Sequence, residues 1–163
     1  MTMPFRQSIP QVAVQLLKAG GSFNKMADRC AQRDAKSLSA SELAAMLGDN
    51  ANHPWKPPGG GFEGALTHDV IHGLDFTVPL GIDRQVPEDR LRIALRGLTK
   101  SKRLKFFGVA LQGIELHASD INWTFGSGTP MSGTAQDLAL VLCGRKLPTG
   151  RLEGEPSQQF TGA

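Results

Sequence analysis

Helix-start and helix-stop signals follow one another from Pro10 to Leu98, and beyond Leu98 they give way to strand signals. That single change of pattern restricts the chain to helices first and a small sheet second, an α+β arrangement. Pro10 suits the first turn of a helix that reaches Lys18, with Gly20-Gly21 ending it. Ser22 is placed to cap a second helix to about Arg33, and Ser39 with Glu42 has capping-box spacing for a third over 40–49. The stretch from Asn50 to Gly61, dense in Pro and Gly, reads as a loop. A fourth helix is expected over 62–77, stopped by Pro79 and Gly81. A fifth starts at Pro87, with Glu88 and Asp89 at its positive end and Arg92 and Arg96 further along.

Beyond Leu98, the mostly apolar run 104–111, the alternating run 114–118 and the run 122–125 read as strands joined by tight turns, the last of them ending in Gly126-Ser-Gly128. Residues 134–143 are apolar with helical spacing and close with Gly144, then Arg145 and Lys146, which makes a covering helix for an antiparallel sheet. From Gly154 the chain is polar and reads as a loose tail. The expected organisation is a helical part over 1–81 and an α/β part over 82–163, with a boundary near Gly81.

At 163 residues the chain can build one sizeable core or two small ones. It carries 18 Lys and Arg against 15 Asp and Glu, and the excess lies in the second part, where Lys100, Lys102, Arg103 and Lys105 form a short basic run. With no interleaved aromatic residues and no nucleic-acid motif, the run reads as a solvated loop, and no nucleic-acid partner is expected. Cys30 and Cys143 stand far apart, which suits two free thiols in a reducing compartment and a cytoplasmic protein. The first twenty residues have neither a long apolar stretch nor a small-residue cleavage pattern, so no signal peptide or membrane partner is expected.

The chemistry is concentrated in the fourth helix. Phe62, Leu66, Val70 and Leu74 take one side of a helical wheel and Ala65, Ile71 and Phe76 flank the other, so the helix reads as buried. His68, His72 and Asp75 fall within a wedge of roughly 60° and, at spacings of four and three, stand one above another. Buried imidazoles must be satisfied, either by hydrogen bonds to neighbouring helices or by a metal. Two histidines at i and i+4 can present ring nitrogens to one divalent ion, and Asp75 can orient His72 from behind. Asp69 follows His68, so the metalloprotease motif is absent. Catalytic zinc takes three protein ligands, and the candidates for the third are His53, Glu63 and His117. Of these, His53 reads as a loop residue, and His117 reads as a surface residue on its strand.

The stretch Gly-Ala-Leu-Thr-His68-Asp-Val-Ile-His72-Gly-Leu-Asp75-Phe-Thr-Val-Pro79-Leu80-Gly81 resembles the metal-binding helix of the mycothiol-dependent maleylpyruvate isomerase-like family. Residues 118–128, then Met131-Ser-Gly, a helix and Gly144-Arg145, resemble the sterol-carrier-protein-like domain that follows the bundle in many of its members. The resemblance covers nearly the whole chain. It implies a DinB-like helical bundle, here partial, with His68 and His72 as metal ligands, Asp75 behind them, and zinc or a similar divalent ion bound. It also implies that the chain begins just after the segment carrying the family's third ligand, with Met1-Thr-Met-Pro-Phe-Arg as its continuation.

The function so implied is thiol-assisted isomerisation of maleylpyruvate, or a related thiol transfer, on a small-molecule substrate with mycothiol as cosubstrate. Arg145 aligns with the family's late Gly-Arg and is the candidate to bind a substrate carboxylate; a cation closing a helix C-terminus is the competing role. Neither cysteine is placed as a nucleophile, since Cys143 lies on the apolar helix and Cys30 has no nearby His in sequence. Two other functions are open on the same fold: a non-catalytic metal-binding protein and a carrier of a small apolar ligand.

Overall fold

The structure, a computed structural model, describes residues 9–54, 56, 57 and 60–162. They fall into two compact units, Met1–Trp55 and Lys56–Ala163, so Gly81 lies inside the second.

The first unit is built from α1 (Ile9–Lys18), α2 (Phe23–Ser37) and α3 (Ala40–Asp49). Its helix ends follow the sequence signals except at the end of α2, which runs past the expected Arg33 to Ser37. The Gly20 N–H donates to Leu17 O and the Gly21 N–H to Leu16 O, each at 2.9 Å, the paired bonds that satisfy the last carbonyls of α1. Ser22 caps α2 by accepting the Lys25 N–H at 3.4 Å. Before α3 the Glu42 N–H donates to Ser39 Oγ at 3.3 Å while the Ser39 N–H donates to Glu42 Oε2 at 2.7 Å, a closed capping box. Ala19, Met26 and Cys30 form a small core on which Val12 and Leu16 rest.

The second unit begins with three helices, α4 (Gly61–Thr77), α5 (Glu88–Leu98) and α6 (Ser101–Phe107). The strands β1 (Ile114–Ala118), β2 (Thr124–Gly126) and β3 (Thr129–Gly133) follow, then α7 (Ala135–Leu142), β4 (Leu152–Glu153) and a 3-10 turn over Glu155–Phe160. The chain is α+β. α4 packs on α5 and α7, and α7 lies against β1 and β3. One continuous core joins Val70, Leu74, Leu95, Leu116, Met131 and Leu138. Among the described residues no helix is long and apolar enough to cross a membrane.

Two expectations about single segments change here. The run expected as a strand from Leu104 is helical over Ser101–Phe107, because Lys, Arg and Leu are good helix formers and the segment holds no β-branched residue. Gly108 then ends the helix in the left-handed conformation, with the Val109 N–H on Leu104 O at 3.0 Å. The segment after Gly154 is anchored, not loose: Pro156 and Phe160 are buried, and the Leu147 N–H donates to Phe160 O at 2.9 Å.

The sheet is mixed, in the order β2-β1-β3-β4, with β1 and β3 parallel and the two outer pairings antiparallel. The reason lies in Gly126-Ser-Gly128, which is a crossover and not a hairpin turn. β2 runs back to the start of β1, and the chain then passes that start to emerge on the other side as β3. At the passage a β-carbon on Gly126 would collide with the Ile114 carbonyl, and one on Gly128 with the Gly113 carbonyl; both glycines have positive φ. The Thr129 N–H donates to Gly113 O at 2.8 Å and sets the parallel register.

Candidate functional site

α4 buries Val70, Ile71, Leu74 and Thr77, all on one side. Its two ends are less covered than the wheel implies: Phe62 is 68% exposed and Phe76 58%. The helix is therefore a wall of the second unit, not a rod enclosed on all sides, and the Lys56 ammonium sits 4.0 Å above the Phe62 ring. The His68, His72 and Asp75 wedge lies along the border between the buried and the open side. The His68 side chain is 23% exposed and that of His72 44%. Full burial is thus not what demands a partner for these rings.

The two rings do meet. Their centroids are 4.4 Å apart at an interplanar angle of 74°, an edge-to-face pair one helical turn apart. Each ring turns Nδ1 toward a carboxylate three residues or fewer away: His68 Nδ1 lies 3.2 Å from Asp69 Oδ1 and His72 Nδ1 3.1 Å from Asp75 Oδ2. Burial alone would raise the Asp75 carboxyl, but the hydrogen bond from His72 and the bonds and charge of Arg145 outweigh it and hold the group far below the usual carboxylate range. An ionised carboxylate only accepts, so the Nδ1 of His72 carries the proton and donates it. In the neutral ring the lone pair is then on Nε2. His68 is held below its ordinary value, first by burial and further by the neighbouring His72, against the opposing pull of Asp69.

Arg145 reaches the site from the end of α7. The Gly144 N–H donates to Val141 O at 2.8 Å and the Arg145 N–H to Leu140 O at 3.1 Å, with Gly144 at φ +72°. This left-handed turn reverses the chain and delivers the guanidinium to Asp75. Nε donates to Asp75 Oδ1 at 2.9 Å, Nη2 to Asp75 Oδ2 at 2.8 Å, and Nη1 to the Cys143 carbonyl at 2.9 Å. The side chain aligned with a substrate-carboxylate ligand thus binds a carboxylate of its own chain. Cys143 is buried, and burial pushes its thiol up to about 12, Arg145 and Arg103 opposing only in part. Such a thiol is no nucleophile at neutral pH.

The remaining candidates are placed as follows. Glu63, in the first turn of α4, lies 3.6 Å from Lys100. His117, on β1, has Nε2 2.8 Å from Glu115 Oε2, and both side chains are more than one-third exposed. His53 is exposed and belongs to the first unit. Lys102, Arg103 and Lys105 are exposed on α6. Among the described residues no group of three or more His, Cys, Asp and Glu side chains is placed to hold a metal ion. The donor chemistry fits a zinc-like ion as far as it goes: two imidazoles one turn apart, one of them oriented by a carboxylate that is itself clamped.

The sequence reading missed two things. Gly144 announces that the chain turns after α7, but nothing local says that Arg145 lands on Asp75. The second is Asp137, buried at the start of α7 and ion-paired to Arg151 at 2.7 Å. The spacing from Thr134 to Asp137 is that of an N-cap and its third helical residue, the signal that places Asp137 there. No family model, no curated protein and no solved structure matches the chain.

Proposed function

We propose that the chain holds a divalent ion, zinc foremost, on His68 and His72, and acts with mycothiol as an isomerase or thiol transferase like members of the maleylpyruvate isomerase-like family. One observation carries the reading: the line of contacts from His72 through Asp75 to Arg145, which keeps the proton on Nδ1 of His72 and its lone pair on Nε2. A bound divalent ion would supply the charge that deprotonates a thiol and holds it as thiolate. Asp75 and Arg145 position His72. Cys143, kept as a thiol, leaves the nucleophile to a small-molecule thiol.

The second reading, a non-catalytic metal-binding protein on the same fold, is favoured by the engagement of Arg145, whose three nitrogens all donate within the chain. Cobalt substitution separates the two. The thiol-using reading expects visible d–d bands on loading with Co²⁺ and an added thiolate charge-transfer band on titration with mycothiol, both lost in His72→Ala. Bands that mycothiol leaves unchanged would select the non-catalytic protein, and no Co²⁺ bands at all would remove both readings.

A further inference from the structure

A second polar cluster in Lys56–Ala163 surrounds a cavity of about 350 Å³, which none of His68, His72, Asp75 and Arg145 lines. It lies where ligands collect in sheets with parallel strands, outside the carboxyl ends of a parallel pair. Ser119 follows the last residue of β1, Ser132 and Gly133 end β3, its parallel neighbour, and Thr134 caps the helix that follows.

Arg151 is the anchor. Its Nε donates to Asp137 Oδ1 at 2.7 Å, and the other oxygen of Asp137 accepts the Thr134 hydroxyl at 2.8 Å. The buried Asp137 carboxylate is therefore spent on holding the guanidinium in place. The two Nη groups of Arg151 have no partner among the described residues, and they form the planar fork that suits a carboxylate. Ser132 and Glu153 are direct cross-strand partners on β3 and β4, so their side chains stand next to one another. The Glu153 carboxylate and the Ser119 and Ser132 hydroxyls likewise have no partner among the described residues.

The charges decide the class of ligand. Asp137 neutralises Arg151, and Glu153 leaves the lining with an excess negative charge, which disfavours a simple anion. A molecule that carries both a carboxylate and an ammonium offers a partner to each of these groups. We propose that this cavity binds a free α-amino acid, its carboxylate on the Nη edge of Arg151, its ammonium on Glu153, and a small polar side chain among the serine hydroxyls.

The test is a titration of the ¹⁵N-labelled full chain with L-serine, compared with acetate, methylammonium and diglycine. The expected result is saturable movement of the Gly133, Thr134 and Glu153 amide signals with L-serine. Each half-molecule and the dipeptide, whose charges stand further apart, should bind about tenfold more weakly or worse, as losing one charged contact implies. Glu153→Gln alters an exposed side chain with no partner, so the fold survives, and it should weaken L-serine by a similar factor. Arg151→Lys keeps the charge against Asp137 but removes the fork and should do the same. No saturable movement with L-serine, equal binding of acetate or diglycine, or L-serine binding unchanged in Glu153→Gln would each overturn the proposal.

Discussion

Arg145 grips the Asp75 carboxylate edge-on, Nε to Oδ1 at 2.9 Å and Nη2 to Oδ2 at 2.8 Å, across 70 residues of sequence. The bidentate contact fixes the plane of the carboxylate, and that plane sets the direction in which His72 Nδ1 points.

Arg145→Lys keeps the charge but loses the fork. Zinc affinity is expected to fall by about 10–100-fold, as for other partners that orient a ligand from behind. Competition against a chromophoric chelator measures it, with circular dichroism as the control for folding. An unchanged affinity would separate Arg145 from the site.

Gly144→Ala tests how Arg145 is delivered. The residue has φ +72°, and an added β-carbon would lie 2.9 Å from the Phe107 carbonyl oxygen. The left-handed conformation alone costs a residue with a side chain about 1–2 kcal/mol. Urea unfolding should show at least that loss, together with weaker zinc binding as the turn shifts. Full stability would mean that the turn tolerates a side chain.

These two positions mark what the sequence made legible. The ends of α1, α3 and α7 could be read because caps are local: Gly20-Gly21, Ser39 with Glu42, and Gly144 each satisfy backbone groups within a few residues. His68, His72 and Asp75 could be grouped for the same reason, since helical spacing alone puts them on one stripe. The Asp75 to Arg145 contact could not be read, because it depends on how α7 packs against α4. The parallel β1–β3 pairing was hidden in two glycines whose role is to clear a carbonyl, a demand that looks like an ordinary turn from the sequence. The exposure of Phe62 and Phe76 is not legible in the sequence, because a wheel counts apolar residues without knowing which neighbours exist.

Thr134→Val removes a hydroxyl that donates to the buried Asp137 carboxylate at 2.8 Å and accepts the Asp137 N–H at 3.2 Å. Leaving a buried acceptor and a helix donor unsatisfied should cost about 1–3 kcal/mol. Denaturant unfolding of the variant against the parent measures the loss, and Thr134→Ser should restore most of it.

Cys143 predicts an alkaline loss of stability. Its thiol is raised from 9.0 to about 12 on folding, so the folded chain keeps a proton that the unfolded chain releases. The contribution is complete below pH 9.0 and declines as the pH rises toward 12, at no more than about 1.4 kcal/mol per pH unit. Unfolding free energy followed from pH 8 upward should therefore fall less steeply in Cys143→Ala than in the parent. Parallel curves would show that the thiol ionises alike in both states.

The most direct test of the central claim is the zinc content of the purified chain, measured by mass spectrometry after dialysis, for the parent, His68→Ala and His72→Ala. The account predicts one equivalent of zinc in the parent and its loss in both variants, with circular dichroism unchanged. A parent that binds no zinc, or one whose zinc survives both substitutions, would contradict it.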